Sequence, residues 1–224
     1  ICLNKLLHRG INKMKVLSLF DGMSCGQLAL QKAGIQVDQY YAAEIDKYAI
    51  KVAQANFPST VQLGSITEVS AASLPKIDLL IGGSPCQGFS FAGKQLNFND
   101  ERSALFFEYV RLLKECKPKY FLLENVRMKK EYRDVISDLL GCQPIEINSA
   151  LVSAQNRRRL YWTNIPGVQQ PEDRGIVLAD IIEGGLTDRD KAHCIDANYF
   201  KGGNLKNYFE KHRRQLIFSR EPKI

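Results

Sequence analysis

Residues 15–34, with the sequence KVLSLFDGMSCGQLALQKAG, decide the expected fold. Residues 15–20 are a short apolar run of the kind that forms a buried strand, and residues 21–24 are typical of a turn. Residues 26–33 have the apolar spacing of a helix, which Gly34 would end. This strand, turn and helix predict the first unit of an α/β protein.

The same alternation continues along the chain to about residue 165. Asp46 is a residue type that caps helices, and Gly141 one that ends them. Further strands are predicted at residues 40–44, 77–81 and 120–123, and helices at residues 46–56, 103–116 and 129–140. Consecutive units of this kind favour a doubly wound, mainly parallel sheet, in which ligands lie at the carboxyl ends of the strands.

Composition and charge narrow the class of partner. The net charge of +7 and the pI near 9.1 suggest an anionic partner. Seven Lys or Arg and two Glu follow residue 200, a net charge of +5, which leaves +2 for the first 200 residues. After Pro166 the periodicity fades, so a smaller region is expected to follow the α/β part.

Several classes of protein do not fit the sequence. No apolar run approaches the roughly 20 residues that span a bilayer, and the first ten residues lack the apolar core of a signal peptide. The six cysteines form no C-x-x-C pair and the chain has three histidines, so no zinc site is predicted. Scattered cysteines indicate a reducing, cytoplasmic compartment.

The turn after the first predicted strand is a candidate cofactor site. It has neither G-x-G-x-x-G nor the phosphate-binding loop with Gly-Lys-Ser/Thr. Gly22 lies in the turn, and Glu44 ends the second strand about 20 residues later, which suits a carboxylate that binds ribose hydroxyls. Alternatively, Gly22 only permits a tight turn and Glu44 caps the next helix.

Cys86 is the candidate nucleophile. The surrounding sequence, GGSPCQGFS at residues 82–90, places it just after a strand and before a long glycine-containing loop. A reactive thiol needs exposure and a pKa below about 8.5, which a strand end near backbone N–H groups can supply. The alternative is a buried structural cysteine, which the flanking Gly, Pro and Gln disfavour.

An acid and two arginines complete the candidate chemistry. Glu124 follows the predicted strand 121–123, at the same sheet edge as Cys86, where burial would favour a proton-donating carboxyl. In the sequence QNRRRLYW at residues 155–162, a strand would place Arg157 and Arg159 on one face and Arg158 on the other.

The ordered motifs resemble the DNA (cytosine-5) methyltransferase family across residues 14–165. The resemblance is carried by FDGMSCG, AAEID, GSPCQGFSFAGKQ, RSALFF, FLLENV and QNRRRLYW. Ser24 in the first motif resembles solitary phage- or prophage-type enzymes more than restriction-linked ones. The family implies an S-adenosylmethionine-dependent methyltransferase fold and, as partner, duplex DNA with a flipped cytosine.

The resemblance also implies a mechanism. The Cys86 thiolate would attack C6 of the base while Glu124 donates to N3. Arg159 would hold the O2 edge, and Arg157 would brace the two catalytic side chains. C5 would take the methyl group of S-adenosylmethionine, and loss of the C5 proton would expel Cys86.

Binding residues follow from the same resemblance. Residues 86–102 would form a loop that closes over DNA, with contacts from Ser90, Lys94 and Arg102. Glu44 would hold the ribose, and Ser65 stands where the family usually carries an acid. The implied cofactor-binding residues are Phe20, Asp21, Gly22, Met23, Glu44, Ile45, Ser65, Ile66, Gly83, Pro85 and Leu105.

The expected organisation is an extension at 1–13, a catalytic cofactor-binding domain at 14–166 and a partial target-recognition region at 167–224. Met14 resembles the family's usual start, and no late motif of the family follows residues 193–203. Two alternatives stay open: an inactive cofactor- or DNA-binding fragment that needs a second chain, and a tRNA cytosine-5 methyltransferase. A DNA-modifying enzyme of this kind is expected in the cytoplasm, at the nucleoid, of a bacterial or phage-infected cell.

Overall fold

The computed structural model describes residues 13–85, 101–195, 199–211 and 214–219, and only the backbone of residues 101–103 and 207. Its strands are β1 Met14–Leu19, β2 Val37–Ala43, β3 Val61–Gly64, β4 Leu79–Gly82, β5 Tyr120–Val126, β6 Ile145–Asn148 and β7 Arg158–Thr163. Its α-helices are α1 Cys25–Lys32, α2 Lys47–Asn56, α3 Glu101–Cys116, α4 Lys130–Leu140 and α5 Leu205–Lys211.

Within the described residues the seven strands form one sheet, in the order β3-β2-β1-β4-β5-β7-β6. The pairs β2–β3, β1–β2, β1–β4 and β4–β5 are parallel. The predicted α/β fold with a mainly parallel sheet is therefore confirmed. The sequence does not predict β3 and β6, because each has only four residues and, unlike β4, lacks a continuous apolar run that would stand out from the neighbouring turns.

Apolar side chains cover both faces of this sheet. Neighbouring residues of β1 divide between two clusters, with Val16 in one and Leu17 in the other, as Leu79 and Leu80 do in β4. Successive side chains of a strand point to opposite faces, so the clusters lie on opposite sides of the sheet. Burial on both faces explains why these strands are continuous apolar runs.

Two helix ends follow the prediction. The Asp46 carboxylate accepts hydrogen bonds from the backbone N–H groups of Tyr48 at 2.8 Å and Ala49 at 3.1 Å, and so caps α2. Gly141 ends α4 in the left-handed conformation, with φ 70°. An L-residue pays a steric cost there that glycine does not, which is why the helix ends at this position.

The chain forms two compact units. The first comprises Ile1–Ile145 and Leu160–Gln169, and the second Glu146–Arg159 and Gln170–Ile224. This division differs from the predicted boundary at residue 166, because residues 146–159 belong to the second unit. The functional labels given to 14–166 and 167–224 stay predictions. In the part of the chain that is described, no helix has the length and apolar character to cross a bilayer.

Candidate active site

The candidate site lies where parallel strands of the first unit end side by side. The strand register pairs Leu19 with both Ala43 and Gly82, and Gly82 with Leu123. The residues that immediately follow these four therefore lie along one edge of the sheet. In sheet order they are Glu44, Phe20, Gly83 and Glu124. The register thus brings together residues of four of the motifs picked out from the sequence.

Glu44 joins the first two strands at this edge. Its Oε2 accepts the N–H of Gly22 at 2.8 Å, and its Oε1 accepts the N–H groups of Ile45 at 2.8 Å and Asp46 at 2.9 Å. Asp46, rather than Glu44, makes the side-chain cap of α2, so the alternative reading of Glu44 as the helix cap is wrong. A carboxylate oxygen has two lone pairs, which leaves Oε2 able to accept one more hydrogen bond.

The turn after β1 is held by Asp21. Its carboxylate accepts hydrogen bonds from Tyr40 Oη at 2.8 Å and from Ser24 Oγ. Burial, and then the charge of Asp21, raise the pKa of Tyr40, so its hydroxyl keeps its proton and remains a donor. Phe20 and Ser24 both have positive φ, 58° and 61°. These bonds offset the strain of two non-glycine residues in that conformation.

Open space and exposed apolar side chains lie beside Glu44. Apart from Gly22 and its two chain neighbours, no described residue has an atom within 4 Å of the position that a Cβ on Gly22 would take. Met23 is 56% exposed and Ile45 is 78% exposed. Large apolar side chains in water beside a carboxylate fit a ligand that has both a ring and hydroxyl groups.

The other predicted cofactor contacts have different surroundings. Ile66 is buried in the main apolar cluster, and Leu105 packs against that cluster from α3. Ser65 caps the short helix Ile66–Glu68, and its Oγ lies 2.8 Å from the hydroxyl of Thr67. The Ser65 hydroxyl is therefore already partnered by its own turn.

Glu124 lies inside β5, not after it as predicted, because β5 extends to Val126. A Cβ on Gly83 would be 3.0 Å from Glu124 Oε2, so the carboxylate packs against a residue without a side chain. The next residue, Asn125, donates from Nδ2 to Ser84 Oγ at 3.0 Å, and both side chains are buried. This bond ties β5 to the peptide that leads to Pro85, itself half-buried.

Four predicted residues have side chains outside the described part of the chain. Cys86, Ser90 and Lys94 lie outside the described residues, and Arg102 is described only as a backbone position in α3. Their assignments stay predictions. Among the residues described, no group of three or more His, Cys, Asp or Glu could hold a metal ion.

The arginines belong to the second unit. β7 begins at Arg158, so Arg157 precedes the strand and does not share a strand face with Arg159 as predicted. The Arg157 N–H donates to Asn148 Oδ1 at 3.0 Å, and its carbonyl accepts from Ser149 N at 3.0 Å, which replaces strand pairing. Arg157 is exposed and its guanidinium donates to Cys194 Sγ at 3.5 Å, while Arg159 is half-buried.

A family model described as C-5 cytosine-specific DNA methylase matches residues 14–137, which include the β1 turn, Glu44, Gly83 and Glu124. The chain belongs to this family. The match begins at the residue where β1 begins and ends within α4, so it covers the parallel strands that form the candidate site.

The chain is also similar to phage and bacterial proteins that are named as methyltransferases. It is 37% identical over 168 residues to the orphan methyltransferase M.SPRI of Bacillus phage SPR, covering 69% of this chain and 38% of the relative. It is 39% identical over 165 residues to the type II methyltransferase M1.ScrFI of Lactococcus lactis subsp. cremoris, with shares of 69% and 42%. It is 33% identical over 202 residues to the type II methyltransferase M.NgoBV of Neisseria gonorrhoeae, and this match covers 79% of this chain and 48% of the relative. The chain thus spans less than half the length of these three relatives.

Two contributors to the site were missed at the level of sequence. The sequence predicts only that Tyr40 lies in a strand, and nothing local indicates that its hydroxyl reaches Asp21, 19 residues earlier. Asn125 is a polar residue inside the E-N-V motif, and a polar residue there is a signal for a side-chain hydrogen bond. The sequence does not show its partner, because Ser84 lies 41 residues earlier. Both contacts depend on how the strands pair.

Proposed function

We propose that this chain carries the catalytic part of an enzyme that transfers a methyl group from S-adenosylmethionine to C5 of cytosine in duplex DNA. The observation that carries this proposal is the row of strand ends, which sets Glu124 against Gly83 with Glu44 on the same edge. Carboxylates at the carboxyl ends of parallel strands are positioned to act on a ligand in the crevice there.

The residues around Glu44 fit the proposed cofactor. The free lone pair of Oε2 would accept a ribose hydroxyl, and the open space above Gly22 admits the ligand. Exposed Met23 and Ile45 would cover apolar parts of the methionine chain and the adenine. Bound S-adenosylmethionine supplies an electrophilic methyl group. Because Ser65 is already partnered and is not an acid, it would add little to adenine binding.

The proposed chemistry at the base begins with Cys86. Its thiolate adds to C6 of the flipped cytosine, forming a carbon–sulfur bond, while the Glu124 carboxyl gives its proton to N3. The electron pair at C5 would then take the methyl group, as the bond from that group to the sulfonium sulfur breaks and S-adenosylhomocysteine leaves. A base from solvent would take the C5 proton, the C5–C6 double bond would re-form as the Cys86 thiolate leaves, and the N3 proton would return to Glu124 to restore the aromatic ring.

Other residues would support the two catalytic side chains, and their proposed roles come from the described contacts and from the family resemblance. The bond between Asn125 and Ser84 would hold the peptide before Cys86 in place. Arg159 would hold the O2 edge of the base and Arg157 would brace the catalytic pair. Contacts to phosphates would come from Ser90, Lys94, Arg102 and the basic segment after residue 200. A duplex DNA substrate would place the protein at the nucleoid of a bacterial or phage-infected cell.

Trapping on 5-fluorocytosine tests this mechanism. Fluorine at C5 cannot leave as a proton does, so the adduct between Cys86 and C6 persists after methyl transfer. The chain, mixed with S-adenosylmethionine and a random-sequence duplex that contains 5-fluorocytosine, should give a covalent complex on a denaturing gel. Cys86→Ser is the matched control and should give none. Absence of a complex with the unchanged chain in every sequence context would refute the proposal.

The same assay separates the two alternatives. A 5-fluorocytosine-containing tRNA that traps the chain faster than duplex DNA would identify a tRNA methyltransferase. Binding of S-adenosylmethionine or DNA without trapping would identify a binding fragment that needs a second chain. The chain spans 38–48% of the length of the three relatives named above, and this is the observation that favours the binding fragment as the second candidate function.

A further inference from the structure

Lys191 makes a complete set of hydrogen bonds to backbone carbonyls in the second unit. Its Nζ donates to the carbonyl oxygens of Ala150 at 2.7 Å, Ser153 at 3.3 Å and Ile176 at 2.5 Å. An ammonium group has three N–H donors, so each is used. The side chain is half-buried, next to the small apolar cluster of Ala154, Leu178 and Ala192.

Residues 191–194 lie alongside the segment that carries the arginines. This segment, residues 148–159, is here called the arginine loop. The Ala192 N–H donates to the Ala154 carbonyl at 2.7 Å, and the Asn156 N–H donates to the Ala192 carbonyl at 3.0 Å. At the far end, Arg157 donates to Cys194 Sγ at 3.5 Å. Residues 191–194 therefore contact the arginine loop from its first turn to Arg157.

The arginine loop is also bonded internally. Ser149 Oγ donates to the Gln155 carbonyl at 2.7 Å, and Ser149 N donates to the Arg157 carbonyl at 3.0 Å. Asn148 Oδ1 accepts the Arg157 N–H at 3.0 Å. Lys191 bonds to residues 150 and 153, within the turn that these bonds close, so the shape of that turn sets the backbone position of Arg157.

A lysine suits this position for a physical reason. Three carbonyl oxygens that converge on one point require several donors from a compact cation, and the ammonium group is such a cation. A partly buried carbonyl left without a donor destabilises the fold, because it has given up its hydrogen bond to water without replacing it. An arginine brings more donors but in a planar fork, so it would satisfy only part of this set.

We propose that Lys191 is a positioning residue that holds the arginine loop in the shape required for the proposed roles of Arg159 at the base and Arg157 beside the catalytic side chains. The proposal rests on the proposed function for the role of the arginines. It also joins residues 191–194, which lie within the region expected to recognise DNA, to the loop that carries the two arginines. Lys191 itself contacts neither the base nor the cofactor.

Amide hydrogen exchange on the full chain tests the structural half of this proposal. Lys191→Met removes the three donors while keeping an unbranched side chain. Exchange in the peptide covering residues 148–157 should then become about tenfold faster, while exchange in β1 is unchanged. Lys191→Arg should fall between the two. Lys114→Met, which removes an exposed charge from α3, is the matched control and should match the unchanged chain.

Trapping on 5-fluorocytosine DNA tests the functional half. Lys191→Met should slow adduct formation about tenfold without changing the KM for S-adenosylmethionine, because the cofactor-binding residues lie in the first unit. Unchanged exchange in residues 148–157 would overturn the proposal, as would faster exchange with an unchanged trapping rate. If the unchanged chain forms no adduct, the proposed function fails, and the exchange measurement still decides whether Lys191 holds the loop.

Discussion

Asn125 and Ser84 are joined by a buried hydrogen bond of 3.0 Å, although 41 residues separate them in the chain. Asn125 is 1% exposed and Ser84 is 5% exposed. The bond links β5, which carries Glu124, to the peptide that leads to Cys86. One buried polar contact therefore connects the segments that bear the proposed acid and the proposed nucleophile.

A double-mutant cycle should detect this contact as a coupling energy. Asn125→Ala and Ser84→Ala each leave a buried polar group unpaired, so each should lower the free energy of unfolding by about 1–3 kcal/mol. The double variant should lose about 1 kcal/mol less than the sum of the two, because the second change removes a group that no longer has its partner. Urea unfolding of the four proteins measures these values, and strict additivity would show that the bond contributes nothing.

Glu44→Gln should weaken binding of S-adenosylmethionine by about tenfold or more, the usual effect of losing a hydrogen bond to a charged group. The amide removes the charge and replaces one of the two carboxylate oxygens that accept N–H groups from Gly22 and residues 45–46. Isothermal titration calorimetry measures the change. Asp46→Asn is the matched control, since Asn caps helices as well as Asp, and equal losses in both variants would contradict a specific role for Glu44.

Gly83→Ala should slow the rate of trapping on 5-fluorocytosine DNA while changing the free energy of unfolding little. The new methyl group would lie 3.0 Å from Glu124 Oε2 and 3.7 Å from the Glu124 carbonyl, so the carboxylate must shift by a few tenths of an ångström. A displaced acid slows proton transfer while the core stays intact. Gly184→Ala is the control, because no described atom lies within 4 Å of its new methyl group. Equal trapping rates for the two variants would argue against the placement of Glu124.

Acid should destabilise the second unit through Asp188. The hydrogen bond from Arg189, and then that from Tyr208, lower the pKa of Asp188 below its ordinary value of 3.8. The stabilisation is therefore complete above about pH 4 and is lost as the pH falls through the lowered pKa. Urea unfolding between pH 2 and pH 6 should show a shallower pH dependence for Asp188→Asn than for the unchanged chain. Asp138→Asn, an exposed site on α4, should leave the slope unchanged, and identical slopes for all three would contradict the prediction.

The sequence predicts the ends of a helix well where they depend only on residues close by in the chain. Asp46 caps α2 and Gly141 ends α4 because capping depends on a few neighbouring residues. The order of strands and the partners of Tyr40 and Asn125 depend on pairing between distant segments, which a single sequence does not display. The same limit applies to Lys191, whose acceptors lie 15 to 41 residues earlier and are backbone carbonyls without a residue-type signal.

The alignment of the strand ends predicts that the site tolerates insertions in some loops but not insertions inside the strands. Glu44, Phe20, Gly83 and Glu124 keep their alignment as long as the register of β2, β1, β4 and β5 is kept. Insertions in the connections at the opposite edge, such as the turn between α1 and β2, change loop length but not this register. An insertion of one residue within β4 would instead shift every later residue of that strand to the other face. A scan of single-codon insertions should therefore find function preserved at one edge of the sheet and lost along its centre.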